Sequence, residues 1–155
     1  MKQLVVAFLL ICFANISFAA GSDQLNIKGL TPGMPAGLVA ETLGTSALSC
    51  DRDGSLESCK YALTFAGDNV IMSVMTWDSQ VLAVTINDLP EVSKIKGAFK
   101  SKYGSPTVED SYDSTWSKGS VVLSVSSLKD QVLISDFKLY EKALKSRSDA
   151  ALDDI

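Results

Sequence analysis

Between residues 61 and 137 the chain alternates apolar and polar positions in six short runs, at 61–65, 70–76, 81–87, 109–116, 121–126 and 132–137. Val121, Leu123 and Val125 take turns with Val122, Ser124 and Ser126, the period of an antiparallel strand with one buried face. Between the runs lie groups of turn formers: Ala66-Gly67-Asp68-Asn69, Trp77-Asp78-Ser79-Gln80, Ser117-Lys118-Gly119-Ser120 and Leu128-Lys129-Asp130-Gln131. The period changes to helical at Val92, Ile95, Phe99 and Tyr103, one apolar face after the start signal Asp88-Leu89-Pro90-Glu91. Asp88 is the expected cap, and Gly104 and Pro106 stop the helix. Lys94, Lys96, Lys100 and Lys102 lie off the apolar face and read as its solvated side. A shorter helix opens at Pro35, carries Leu38, Val39 and Leu43, and ends at Gly44. Gly37 weakens it by up to about 1 kcal/mol. A last short helix is expected at 139–145, and 147–155 reads as a flexible acidic tail.

The pattern occurs twice. Displaced by 51 positions, residues 61–82 lie over 112–133 without a gap, and eight of the 22 pairs are identical. Among them are Tyr61/Tyr112, Thr64/Thr115, Val74/Val125 and Gln80/Gln131. Such a repeat means one supersecondary unit used twice. The expected fold is α+β: two repeated helix-plus-three-strand units, about 27–88 and 89–140, forming an antiparallel sheet with helices packed on one face. Gly44 to Val70 is nine residues longer than Gly104 to Val121, and the surplus coincides with Cys50–Cys59. The cysteine segment therefore reads as a loop inserted into one copy.

The first residues read differently. Lys2, the apolar run 4–13 and Ser17-Phe18-Ala19 form a cleavable secretory signal over 1–19. The run is too short to cross a bilayer, which takes about 18 apolar residues or more. Cys12 follows Ile11 rather than the small residue that a lipid-acceptor cysteine needs, so it is an apolar residue lost with the signal. Cleavage leaves 136 residues, one domain over 20–146 with its tail, and moves the formal net charge from −4 to −5. An acidic, unclustered surface argues against nucleic acid as partner, and no later segment is apolar enough for stable membrane insertion. The expected location is the periplasm or outside the cell. Cys50 and Cys59 remain, an even count that reads as a disulfide in an exported chain. Zinc is the rival, and it would find two thiolates and no histidine.

Ile27-Lys28-Gly29-Leu30-Thr31-Pro32-Gly33-Met34, followed by Val39 and Leu43-Gly44, resembles the "GM…V…LG" opening of the BamE/SmpA-OmlA-type periplasmic domains. Tandem use of such a unit resembles the β-lactamase inhibitory proteins, in which two copies line a concave sheet that grips an enzyme. The resemblance implies a binding scaffold and transfers no individual binding residue.

Catalytic chemistry finds little material. Without histidine there is no Ser-His-Asp or Cys-His arrangement and no ordinary neutral-pH base. Cys50 and Cys59 are too far apart for a C-x-x-C redox pair. Gly29, Gly33 and Gly37 do not follow a strand as a dinucleotide loop requires. Asp51-Arg52-Asp53-Gly54 hints at a calcium loop, but Lys60 stands where the bidentate acid belongs. No metal and no cofactor are expected. The chain reads as a non-catalytic protein-binding module, an inhibitor or an exclusion-type factor. The alternatives are an envelope-assembly or quality-control accessory, or a hydrolase that uses carboxylates alone. The candidate contact residues are Trp77, Arg52, Asp53, Tyr61 and Tyr112. Trp77 stands where its repeat partner is Leu128; Trp116, opposite Phe65, is expected in the core.

Overall fold

A computed structural model describes residues 24–153. The secretory signal expected at 1–19 lies outside the described residues. One antiparallel sheet of eight strands organises the chain, in the order β1-β2-β3-β4-β8-β7-β6-β5. The strands are β1 (Ser49–Asp53), β2 (Leu56–Phe65), β3 (Asp68–Trp77), β4 (Gln80–Ile86), β5 (Val108–Glu109), β6 (Asp113–Lys118), β7 (Val121–Ser126) and β8 (Gln131–Asp136). Among the described residues three helices accompany them: α1 (Val39–Leu43, entered through a 3-10 turn at Ala36–Leu38), α2 (Val92–Tyr103) and α3 (Phe137–Asp153).

The alternation dictates the layers. Val70, Met72, Val74 and Thr76 of β3 are buried on one face. Across the sheet they continue into Cys59 and Tyr61, Val84 and Ile86, Val132 and Ile134, Leu123 and Val125, and Trp116. Val39 of α1 and Val92, Ile95 and Phe99 of α2 close this core, as their helical spacing requires. Phe99 meets Trp116 edge-on at 5.9 Å, and the Trp116 Nε1–H donates to the Gly104 carbonyl at 2.9 Å. The stretch before α1 also enters the core through Leu25, Ile27 and Leu30. Tyr103 fixes it: its hydroxyl donates to the Asn26 carbonyl at 3.0 Å and accepts from the Asn26 N–H at 3.1 Å. Tight hairpins set the register. Ala66-Gly67 and Asp78-Ser79 both have positive φ at the two central positions, a backbone whose twist matches that of the flanking strands.

Several expectations need correction. Each half of the sheet holds four strands, not three. The cysteine segment is not a loop but a hairpin: β1 pairs with β2 from Ser49↔Lys60 to Asp53↔Leu56, and Gly54 (φ 61°) turns it. The single strand expected at 109–116 is broken into β5 and β6. Asp110 is the cause: its carboxylate accepts the N–H groups of Tyr112 and Asp113, both at 2.7 Å, and folds the chain into a turn. α2 begins at Val92 without an Asp88 cap; Asp88 has φ 56°, and Leu89 N–H bonds Asp130 O instead. α3 extends well past 145 into the residues expected as tail. Asp136 starts it by accepting the Lys138 and Leu139 N–H groups at 2.9 and 3.1 Å.

Nor do all helices share a face. A bulge at Met75/Thr76 gives β4 an extra residue, Leu82, beside Ala83 on the side away from the core. Leu82 is fully buried yet stands apart from the main core cluster, as does Ala143 of α3. Arg147 of α3 pairs with Asp53 of β1 at 2.6 Å, and Asp53 alternates with the core-side Arg52. From Phe137 to Arg147 a helix advances roughly 15 Å, and β8 to β1 is four strand spacings, roughly 19 Å. α3 therefore crosses one end of the second face from β8 toward β1, with Leu82, Trp77 and Leu56 in its path. Among the described residues no helix is long and apolar enough to cross a membrane.

Candidate binding face

Beyond the strip crossed by α3, the second face of the sheet is uncovered. Its residues are those that alternate with the core: Ser58, Lys60 and Ala62 of β2, Ile71, Ser73 and Met75 of β3, Ala83 and Thr85 of β4. Leu133 and Ser135 of β8 and Val122 and Ser124 of β7 continue it. Small hydroxyl and methyl groups dominate, with apolar side chains set among them. Ile71 is 47% exposed and Met75 36%, high values for branched and long apolar residues in central strands. None of these residues is among the expected contacts, although the period-2 alternation that locates the core also marks them, on the opposite phase.

The expected contact residues do not gather there. Trp77 ends β3 on the open face but lies under the path of α3; its indole N–H is buried and has no hydrogen-bond acceptor. Its counterpart Leu128 is 73% exposed in the β7–β8 turn. Arg52 turns to the core side, where its guanidinium pairs with Glu57 at 2.7 Å. Asp53 turns the other way, to Arg147. Tyr61 packs within the core and is unavailable to a partner. Burial, with the Glu57 carboxylate second, pushes its phenol above the ordinary tyrosine value, so it stays neutral. Tyr112 projects from the β5–β6 turn, 56% exposed and at the far edge of the sheet from Arg52 and Asp53. Trp116 is in the core, as expected.

The two edges are built from different chemistry. At the first, the Cys50–Cys59 disulfide joins directly opposed residues of β1 and β2. It holds an outer strand whose five residues are all exposed. At the second, β5 is two residues long and is held by charge. Lys100 of α2 pairs with Glu109 at 2.6 Å, and Ser114 donates to the same carboxylate at 3.1 Å. The hydrogen bond from Lys100 is the main reason that the Glu109 carboxyl titrates below its ordinary range. The Lys96 ammonium donates to the Tyr112 carbonyl.

Nothing on the open face converges as a catalytic centre would. Its only titratable group between β2 and β7 is Lys60, and no cluster of three or more metal-ligating side chains occurs among the described residues. What the face offers is area, shallow relief and mixed polarity. No protein-family model, no curated protein and no solved structure matches the chain.

Proposed function

We propose that the protein is an exported, non-catalytic binding module that holds a protein partner against the open face of its sheet. One observation carries this reading: a broad sheet face, with exposed Ile71 and Met75 among small hydroxyl and methyl groups, left uncovered opposite the face on which α1 and α2 close the core. The fold behind it supports a duplicated scaffold of the kind seen in the β-lactamase inhibitory proteins. Residues 51 positions apart lie on the core side in both halves: Phe65/Trp116, Val70/Val121, Met72/Leu123 and Val74/Val125. At the centre, Ala83↔Ser135 and Val84↔Ile134 exchange places under the same displacement. The disulfide favours an oxidising compartment, and with the secretory signal it supports the periplasm or the exterior. A chain without histidine, whose two mature cysteines are joined, is better equipped to bind than to catalyse.

The test is capture from an envelope extract with three proteins: wild type, Ser73→Tyr, and Glu41→Tyr on the opposite side. Tyrosine suits a strand and adds uncharged bulk to the middle of the open face. The expected result is a protein retained by wild type and by Glu41→Tyr and lost with Ser73→Tyr. Capture indifferent to Ser73→Tyr, or no protein captured, overturns the reading.

A further inference from the structure

The open face is almost uncharged. On the five strands from β2 to β7 the register places a single charged side chain on it, Lys60. That ammonium makes no hydrogen bond or ion pair among the described residues. It stands over an open depression of about 530 Å³ at the end of the face away from α3. Leu48 and Ile71, both exposed, supply apolar wall; Ser73 and Asn69 supply polar groups. Asp88 stands at the rim.

Resting on the open-face reading above, we infer that this depression receives a protein loop that sets one carboxylate on Lys60 and an apolar side chain beside it against Ile71 and Leu48. The charge pattern selects the class of occupant. An ammonium that is the one charge on the face, with Asp88 only at the rim, gains a partner most readily from one opposite charge, and the surrounding apolar wall lowers the water content around the pair. A polyanion, whether nucleic acid or an anionic bilayer, needs several cations in a row. Here it would meet Asp88 at the rim and Asp51 on the neighbouring edge strand, in a chain of formal net charge −4. The depression is open to solvent and would leave much of a small molecule uncovered, whereas the tip of a protein loop is covered by its own chain on the outer side. Lys60 is presented rigidly: Cys59, its neighbour, is tied to Cys50, and its own Cα partners are Ser49 and Ser73. A fixed strand spares the side chain part of the ordering entropy that binding requires.

The probe is a displayed library of random seven-residue loops closed by a disulfide. It is selected on the whole mature chain, and the enriched loops are then measured on Ser73→Tyr and Lys60→Glu. Loops are expected to emerge with Asp or Glu next to Leu, Ile or Phe. Their affinity should fall about tenfold or more on Lys60→Glu and weaken as salt rises. Replacing the acid of the loop by lysine should restore binding to Lys60→Glu. Loops that Ser73→Tyr abolishes but Lys60→Glu leaves untouched overturn the carboxylate pairing and leave the face reading standing. Loops indifferent to both substitutions, or no enrichment at all, count against the face itself.

Discussion

The two halves of the sheet, β1–β4 and β5–β8, share their buried side and differ at their rims. Toward the core they present the same kinds of residue at the same alternation: Val70, Met72 and Val74 in one half, Val121, Leu123 and Val125 in the other. At the rim the first half extends β2 and β3 to ten residues each and adds a five-residue outer strand closed by a disulfide. The second half has six-residue strands and ends in two residues of β5, held by a lysine and by Asp110. The core side must fill volume, so its choices are narrow. The rim must only terminate hydrogen bonding, which a covalent link or a charged turn does equally well. The differences between the halves are therefore where a partner could be distinguished, and Lys60 lies on the elaborated one.

The sharpest way to break the comparison is to cut the same hole in each half. Met72 and Leu123 are 51 positions apart and both fully buried. Met72→Ala and Leu123→Ala should each destabilise by about 2–5 kcal/mol, read from urea unfolding at constant slope. A large loss at one site and a small one at the other would show that the halves do not carry equal shares of one core.

Removing the disulfide comes next. The Cys50–Cys59 pair closes a segment with a sequence separation of nine, and Cys50→Ser with Cys59→Ser should lower stability by about 2–3 kcal/mol in the chain-entropy account. Amide exchange should accelerate first in β1 and leave β7 and β8 unchanged. A uniform acceleration would mean that the edge strand is integral to the core rather than attached to it. Third is Ala143→Asp, which places a carboxylate between α3 and the sheet. A loss of about 1–3 kcal/mol is expected, with amide protection falling along α3 while α2 keeps its own. Equal protection before and after would remove α3 from the open face.

Most of the core was legible in the chain, because strand alternation and the Val92-Ile95-Phe99 spacing each admit one packing. Trp116 was placed correctly by its pairing with Phe65. The misreadings all concern features that periodicity does not encode. The bulge that sends Leu82 to the second face adds one residue without breaking the apolar run Val81-Leu82. The Asp110 turn depends on two side-chain hydrogen bonds inside what alternation reads as one strand. β1, Ser-Cys-Asp-Arg-Asp, lacks any apolar alternation, since an edge strand tied by a disulfide needs none. The helix expected at 139–145 falls short of α3 because past Lys145 the chain carries no apolar period to extend it, and its buried contact is a single alanine, with Phe137, Tyr140 and Leu144 about half exposed. The candidate contact residues were chosen for their chemical prominence. A sheet that grips a partner was expected, but not the residues of its open face, because small and hydroxyl side chains on the polar phase of the alternation lack that prominence.

The smallest expected effect tests how the second edge is held. Asp110 accepts two backbone N–H bonds, and the one from Asp113 does most to hold its carboxyl below the ordinary aspartate range. A carboxyl whose folded pKa is depressed contributes stability above its unfolded value, and that contribution is lost as pH falls through the folded pKa. Because Asp110 is exposed, the loss should stay local to the β5–β6 turn and leave the global unfolding midpoint in place. In an acid titration followed by NMR, the Tyr112 and Asp113 amides should shift together at a pH below about 3.9, the unperturbed aspartate value. Asp110→Asn should abolish that joint transition while the Cys50–Cys59 hairpin stays unaffected. Amides that titrate at the unperturbed value would show that the turn does not depend on the carboxylate, and the contrast between a covalent and an electrostatic edge would fall with it.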